Sequence, residues 1–148
     1  MAISLWRLHR QAHGIGLDGM GGLYAGGRWH RQGTRVVYFG ASAAIVVLEK
    51  LAHIDPAVLP SDLMLTRLEA SVRPASVRTA KIESLRDINH TQAQGEAFIK
   101  ERKGCLFRVP SVMLPKYEFN VVMNPLHPDA AKIFAVDSQP FRFDPRLL

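Results

Sequence analysis

The sequence predicts one α+β domain in which mainly antiparallel sheets are combined with a few helices. The chain has 148 residues, of which 47% are hydrophobic and 22% charged, an ordinary composition for a globular protein with one core. Short apolar, β-branched or aromatic runs are numerous, whereas helical periodicity is found in few segments. No repeat, low-complexity tract or interdomain linker divides the sequence. We therefore treat residues 1–148 as a single domain.

The first third of the chain is expected to contribute two strands and a glycine-rich loop. Residues 5–8 are short and apolar, which indicates an opening strand. Residues 13–27 hold seven of the 11 glycines, which indicates a long flexible loop. Residues 35–39 are β-branched and aromatic, which indicates a second strand that ends at Gly40.

A helix is expected directly after Gly40. Ser42 is a typical helix N-cap residue, and five apolar residues after it fall on one side of a helix with 3.6 residues per turn. The helix should end near His53, before Asp55-Pro56. The five apolar residues are Ala44, Ile45, Leu48, Leu51 and Ala52.

The rest of the chain predicts one further helix and several short strands. Residues 91–103 have a helical pattern closed by Gly104, and residues 110–116 form a proline-bounded loop. Asn124-Pro125 is typical of a turn. Strands are expected at residues 63–68, within residues 72–81, and at residues 105–109, 119–123, 133–136 and 141–143.

The charge balance favours an anionic partner. Lys and Arg total 19 and Asp and Glu total 13, which gives a net charge of +6 at neutral pH. Such a balance suits a nucleic acid, a phosphorylated small molecule or an acidic protein, and charge alone does not choose among them.

Cysteine, histidine and hydropathy patterns exclude several classes of protein. Cys105 is the single cysteine of the sequence, which excludes an intramolecular disulfide and a multi-cysteine zinc site and favours a reducing, cytoplasmic setting. The six histidines show no metal-ligand spacing, so no metal is expected. The longest mostly apolar uncharged run, residues 38–48, is shorter than the roughly 20 residues of a membrane-spanning helix. The chain also starts without an export signal.

The segment Gly-Gly-Arg-Trp-His-Arg-Gln-Gly, residues 26–33, is the richest candidate for ligand binding. Glycines allow the backbone to approach a ligand closely, and Arg28 offers a planar set of donors that matches a phosphate. The alternative is a solvated basic loop. The segment is neither a P-loop nor a dinucleotide-binding fingerprint.

Four other polar residues have both a structural and a functional interpretation. Tyr38 either packs in its strand or stacks on a planar ring. Glu49 lies about 100° from the centre of the apolar stripe of its helix, so it is either a solvated flanking residue or a carboxylate facing a cleft. Ser111 and Asn120 either satisfy turn backbone groups or contact a ligand.

Taken together and in order, these segments resemble the RES domain family, whose members are toxins of RES–Xre toxin–antitoxin systems. The resemblance extends over nearly the whole chain. The matching residues are Trp6-Arg7-Leu8, Gly27-Arg28-Trp29, Gly33, Val37-Tyr38, Leu48-Glu49, Val109-Pro110-Ser111, Asn120, Asn124-Pro125, His127-Pro128 and Phe143-Asp144-Pro145-Arg146-Leu147. One position departs from the pattern, because His30 stands where the family usually has Asn.

The resemblance implies a fold similar to that of diphtheria-toxin-type ADP-ribosyltransferases, with NAD as the substrate. It implies cleavage of the nicotinamide–ribose bond, by hydrolysis or phosphorolysis or with transfer of ADP-ribose to a protein. The implied catalytic residues are Arg28, Glu49 and Ser111. Arg28 would bind the pyrophosphate or the adjacent ribose, Glu49 would stabilise the cationic ribose, and Ser111 would bind that ribose or the amide.

Further NAD contacts are implied for Arg7, Tyr24, Tyr38 and Asn120. Arg7 is expected to join Arg28 at the phosphates, and Tyr38 to stack on nicotinamide. Tyr24, in the glycine-rich loop, is expected to close over the ligand. Whether residues 14–27 form a lid is left open by the sequence.

The resemblance also implies a protein partner, an Xre-like helix-turn-helix antitoxin that blocks the cleft within a hetero-oligomeric complex. An NAD glycohydrolase is our first hypothesis, and an ADP-ribosyltransferase that modifies a cytoplasmic protein is the alternative. A non-enzymatic nucleic-acid-binding module ranks lower. The net charge and the cluster of Arg28, Arg31 and Arg35 favour such a module, but these arginines flank a glycine-rich loop and no binding motif is present, so no direct nucleic-acid contact is expected.

Overall fold

The computed structural model describes residues 2–148, in which seven β-strands and three α-helices are joined by loops and short 3-10 helices. The strands are β1 (Ile3–Arg10), β2 (Val37–Gly40), β3 (Leu63–Ala70), β4 (Val77–Thr79), β5 (Leu106–Pro110), β6 (Phe119–Met123) and β7 (Ile133–Pro140). The α-helices are α1 (Gly21–Tyr24), α2 (Ala43–His53) and α3 (Ile88–Glu101). None of the helices within residues 2–148 has the length and apolarity that crossing a bilayer requires.

Within residues 2–148 the strands form one sheet in the order β4-β5-β6-β2-β1-β3-β7. Each pair of neighbours is antiparallel except β4 and β5, which are parallel. The prediction of an α+β fold with mainly antiparallel pairing is therefore confirmed.

Apolar side chains cover both faces of the sheet. Successive residues of a strand point to opposite faces, and the neighbours Val121 and Val122 of β6 belong to different apolar clusters. In one cluster, the rings of Phe98 of α3 and Phe107 of β5 stack face to face with their centroids 4.7 Å apart. Trp29 meets Phe107 edge-on in the same cluster, so the segment that carries Arg28 is packed between α3 and the sheet.

Helix α2 forms where the sequence predicts it, but only part of the predicted apolar stripe is buried. Ser42 caps it as expected, since its hydroxyl accepts a hydrogen bond from the Ile45 amide at 3.1 Å. Ala44 and Ala52, two members of the predicted apolar stripe, are exposed to solvent. Ile45, a third member, is buried as predicted, because Gly40 of β2 has no side chain and lets the helix approach; a Cβ there would lie 2.9 Å from Ile45 Cγ2. Val46 and Val47, which are outside the predicted stripe, also pack against the core.

Three other expectations require correction. The strand expected at residues 141–143 does not form; β7 is one continuous strand, and Phe141 and Phe143 pack edge-on with centroids 5.1 Å apart. Helix α3 ends through Arg102, which adopts the left-handed conformation (φ 58°), rather than through Gly104. The glycine-rich loop contains the short helix α1.

Candidate active site

A cavity of about 300 Å³ opens where β1 and β2 separate inside the sheet. Within residues 2–148 these two strands share one residue pair, Trp6 with Gly40, and beyond that pair Arg7 and Tyr38 line the cavity. Arg7 fills part of the gap, because its Nη1 donates a hydrogen bond to the Tyr38 carbonyl at 2.8 Å and its Nε donates to the Ile15 carbonyl at 2.6 Å. A cavity of this size is at the lower end of the range for small-molecule sites.

The structure brings most of the predicted site residues to this cavity. Its wall includes Arg7, Arg28, Tyr38, Glu49 and Asn120, which come from β1, the segment after α1, β2, α2 and β6. Arg28 and Glu49 therefore line one common cavity, although 21 positions separate them in the sequence. This convergence is the arrangement that the sequence analysis requires.

Glu49 is held by two hydrogen-bond donors. Its Oε1 accepts from the Ser111 hydroxyl at 2.7 Å and from the Asn120 side-chain amide at 3.1 Å. Its Oε2 has no hydrogen-bond partner among residues 2–148, and Glu49 lines the cavity. One carboxylate oxygen is therefore anchored by the protein, and the other is available to a ligand.

Ser111 has a different position from the one that the sequence analysis assigns to it. It is fully buried, it is absent from the cavity wall, and its hydroxyl accepts a hydrogen bond from the Met113 amide at 3.1 Å while donating to Glu49. Its single hydroxyl proton is used by the carboxylate. The geometry therefore makes Ser111 a positioning residue for Glu49 and gives no support to a direct contact with NAD.

Helix α3 holds the backbone of the segment that carries Arg28. The Thr91 hydroxyl donates to the carbonyl of Arg28 at 2.7 Å, and the Gln92 side-chain amide donates to the carbonyl of Gly27 at 3.0 Å. A loop has few backbone partners of its own, so such side-chain hydrogen bonds satisfy its polar groups and limit its movement.

The next turn of α3 meets the same segment. Gly95 lies against Trp29 so closely that a Cβ at position 95 would be 1.7 Å from the Trp29 carbonyl oxygen. The Glu96 carboxylate accepts from the Arg31 amide at 2.7 Å and from the Thr34 hydroxyl at 2.8 Å. Helix α3 and residues 27–34 are therefore packed as one unit.

The guanidinium of Arg28 is only partly used by the protein. Its Nη1 donates to the Leu85 carbonyl at 3.0 Å, and within residues 2–148 it has no carboxylate partner at ion-pair distance. Its positive charge and remaining donors are thus available to an anionic ligand. Arg7 differs, because its guanidinium is buried and hydrogen-bonded to carbonyls, and this burial lowers its pKa from the ordinary value.

Tyr38 lines the cavity, while its hydroxyl is bound inside the protein. The hydroxyl oxygen accepts a hydrogen bond from the Trp29 amide at 3.1 Å and lies 2.6 Å from His30 Nδ1. Burial raises the pKa of Tyr38 above its ordinary value, so the phenol is neutral.

The cavity contains two basic residues that the sequence analysis does not assign to it. Lys50 and His53 follow Glu49 by one and four positions on α2, and both line the cavity. Their signal in the sequence is the spacing of Val46, Glu49, Lys50 and His53, which places them on one side of a helix. His53 is also tied to its own helix, because its Nδ1 donates to the Glu49 carbonyl at 2.8 Å.

Tyr24 is not brought to the cavity. It lies at the end of α1 with 74% of its surface exposed, and it is not part of the cavity wall. The proposed contact between Tyr24 and NAD has no support from this arrangement. No group of three or more His, Cys, Asp or Glu residues within residues 2–148 is placed to hold a metal ion.

Comparisons with known proteins agree with this fold. A family model described as "RES domain" matches residues 4–144. The protein named "Toxin Res" of Pseudomonas putida is 36% identical over 145 residues, which cover 92% of this chain and 95% of that protein. The "Prs ADP-ribosylating toxin" of Sphingobium sp. is 31% identical over 159 residues, which cover 100% of this chain and 98% of that protein.

A solved structure shows the same fold. The crystal structure of the M. tuberculosis MbcT–MbcA toxin–antitoxin complex matches with a TM-score of 0.73 at 17% sequence identity. The match covers 95% of this chain and 85% of the matched chain.

Proposed function

The chain belongs to the RES domain family, and on this basis we propose that it is the toxin of a toxin–antitoxin system and that it consumes NAD. The reaction that we propose first is cleavage of the nicotinamide–ribose bond with water or phosphate as the acceptor. The alternative is transfer of ADP-ribose to a protein, which the name of the Sphingobium relative favours. The observation that carries the proposal is the convergence of Arg28 and Glu49 on one cavity.

Glu49 supplies the charge that this chemistry needs. Cleavage of the bond between nicotinamide and ribose develops positive charge on the sugar, as in glycoside hydrolysis. A fixed carboxylate beside that sugar stabilises the charge, and Ser111 and Asn120 hold Glu49 in place through its Oε1. The nicotinamide ring of NAD is already cationic and departs as a neutral molecule, so the departing group needs no proton.

The other wall residues suit the remaining parts of NAD. Arg28 has free donors for the pyrophosphate, and Lys50 adds a second cation on the same wall. The ring of Tyr38 offers a surface on which nicotinamide can stack. Arg7 supports this end of the cavity through the Tyr38 carbonyl and adds positive potential.

The proposed partner is an antitoxin protein. The matched solved structure is a toxin–antitoxin complex, which supports an antitoxin partner. That this partner is an Xre-like helix-turn-helix protein in a hetero-oligomer is our proposal from the resemblance to RES–Xre systems. We place the complex in the cytoplasm, where NAD is available, and propose that the antitoxin blocks the mouth of the cavity.

The lower-ranked hypothesis of a nucleic-acid-binding module was favoured by the net charge and by the arginine cluster, and the structure weakens the second argument. Arg28 lines the cavity, whereas Arg31 and Arg35 line a separate depression beside Lys100. The three arginines that are close together in the sequence therefore do not line one common depression.

The test is to incubate the purified protein with NAD that carries a label on its adenylate part, with and without bacterial lysate. Formation of free ADP-ribose or its phosphate ester in the reaction without lysate supports hydrolysis or phosphorolysis. Label retained on a lysate protein supports transfer. Glu49→Gln should lower the rate of formation of either product by about 10²-fold or more, with Glu101→Gln, an exposed residue outside the cavity, as the matched control. Intact NAD in all reactions would refute the proposal.

A further inference from the structure

His30 occupies the position at which this chain departs from the usual Asn of its family, and it is buried with 3% of its surface exposed. Both ring nitrogens have partners. Nδ1 lies 2.6 Å from the Tyr38 hydroxyl, and Nε2 lies 2.8 Å from the carbonyl oxygen of Ala25, at the end of the glycine-rich loop. The ring therefore joins that loop to the central strand β2.

The partners determine the direction of each hydrogen bond. A carbonyl oxygen can only accept, so Nε2 of His30 carries a proton and donates it to Ala25. The Tyr38 oxygen already accepts from the Trp29 amide, and among residues 2–148 the acceptor for its own proton is His30 Nδ1. The ring is thus neutral with its proton on Nε2, and the chain of donors runs from Trp29 through Tyr38 to His30.

Arg28 lies at the tip of the loop that these bonds close. Ala25 and His30 are joined through the ring, and the Gly27 amide donates to the His30 carbonyl at 3.0 Å. The Trp29 amide ties the same loop to Tyr38. Each bond of this network has at least one partner within three positions of Arg28, which lines the cavity.

We propose that His30 is a positioning residue that acts through Tyr38 and Ala25 to hold Arg28 at the cavity wall. In this arrangement the Tyr38 hydroxyl serves the protein network, and only the ring of Tyr38 meets a ligand. For its activity readout the inference rests on the proposed consumption of NAD.

Two substitutions separate the two contacts of the ring. The Oδ1 of an Asn is as many bonds from Cα as the Nδ1 of a His, so His30→Asn keeps an acceptor for Tyr38 and loses the donor to Ala25. The Nε2 of a Gln matches the Nε2 of a His, so His30→Gln keeps the donor to Ala25 and loses the acceptor for Tyr38. His13→Asn, an exposed residue outside the cavity, is the matched control.

The kinetic test measures KM and kcat for NAD consumption in the three variants and the wild type. Loss of one neutral hydrogen bond in the network should raise KM about 3- to 10-fold in both His30 variants, because Arg28 is displaced, with kcat within about 3-fold of the wild type. Partial unfolding would instead lower the apparent kcat and leave KM unchanged. Wild-type KM in both variants would overturn the inference.

A second measurement does not depend on activity. In the nitrogen NMR spectrum of histidine-labelled protein, the signals of His30 are identified as those that disappear in the His30→Asn variant. Their chemical shifts should show a proton on Nε2 and none on Nδ1. Tyr38→Phe should shift the Nδ1 signal, and His13→Asn should not. A proton on Nδ1 of the wild type would overturn the inference, whereas an inert wild type with the expected spectrum would contradict the proposed function alone.

Discussion

Ser111→Ala tests whether the buried serine acts on the substrate or only through Glu49. The substitution removes the hydroxyl that donates to Glu49 Oε1 at 2.7 Å and leaves the Asn120 amide as the remaining donor to that oxygen. The side chain is fully buried and is not part of the cavity wall, so no ligand surface is lost.

The expected magnitude follows from the charge of the acceptor. A hydrogen bond to a charged group contributes about 1.5–3 kcal/mol, and each 1.36 kcal/mol in a barrier corresponds to a factor of about ten. Ser111→Ala should therefore lower kcat/KM for NAD by about 10- to 150-fold. Glu49→Gln removes the charge itself and should lower turnover by about 10²-fold or more.

A double-mutant cycle gives the decisive comparison. In the Glu49→Gln background the serine donates to a neutral amide. The second substitution, Ser111→Ala, should therefore lower kcat/KM for NAD by only about 2- to 5-fold. The exposed Ser61, changed to Ala, is the matched control. Thermal unfolding must show that each variant is folded at the assay temperature. If Ser111→Ala lowers kcat/KM by the same factor in the wild-type and the Glu49→Gln backgrounds, the serine contacts NAD directly and our assignment is wrong.

Three further predictions concern the loop, the ligand and the pH dependence of stability. Gly95→Ala puts a Cβ 1.7 Å from the Trp29 carbonyl oxygen, so it should lower both the melting temperature and NAD turnover, whereas Gly21→Ala, at a position with open space, should change neither. Arg28→Ala should raise KM for NAD at least about 10-fold in steady-state assays, because a charged donor set is lost; an unchanged KM would contradict its role. Asp129 accepts a hydrogen bond from a hydroxyl group and faces two cations, and these contacts hold its pKa below the ordinary value of 3.8. The contribution of Asp129 to folding stability is therefore complete above pH 3.8 and is lost as the pH falls through the folded-state pKa. Asp129→Asn should therefore melt below the wild type at pH 7, and the two curves should converge in acid; a difference that is constant with pH would refute this.

The local parts of the fold can be predicted well from the sequence. The Ser42 cap, the β-branched strand that ends at Gly40 and the mainly antiparallel pairing follow from short-range chemistry and are present in the structure. Arg28 and Glu49 also meet at one cavity, which the resemblance to a family implied.

The parts that sequence analysis misplaced depend on contacts between distant segments. Periodicity shows that α2 has an apolar face but not how far the helix is rotated on the sheet, and that rotation follows from the approach of Ile45 to Gly40. For this reason the sequence does not predict that Lys50 and His53 line the cavity. Likewise, nothing local to Thr91 indicates that its hydroxyl bonds to a carbonyl 63 positions earlier.

The narrow junction between β1 and β2 has a mechanical consequence. By backbone pairing, the part of the sheet within residues 2–148 is two panels, β4-β5-β6-β2 and β1-β3-β7, joined through Trp6 and Gly40. Tilting one panel against the other breaks that pair and the bridge from Arg7 to the Tyr38 carbonyl, and leaves every other ladder whole. Widening the mouth of the cavity at this junction would therefore break few backbone hydrogen bonds, and the main resistance to it would come from the apolar cluster that Leu5 of β1 shares with Val37 and Phe39 of β2.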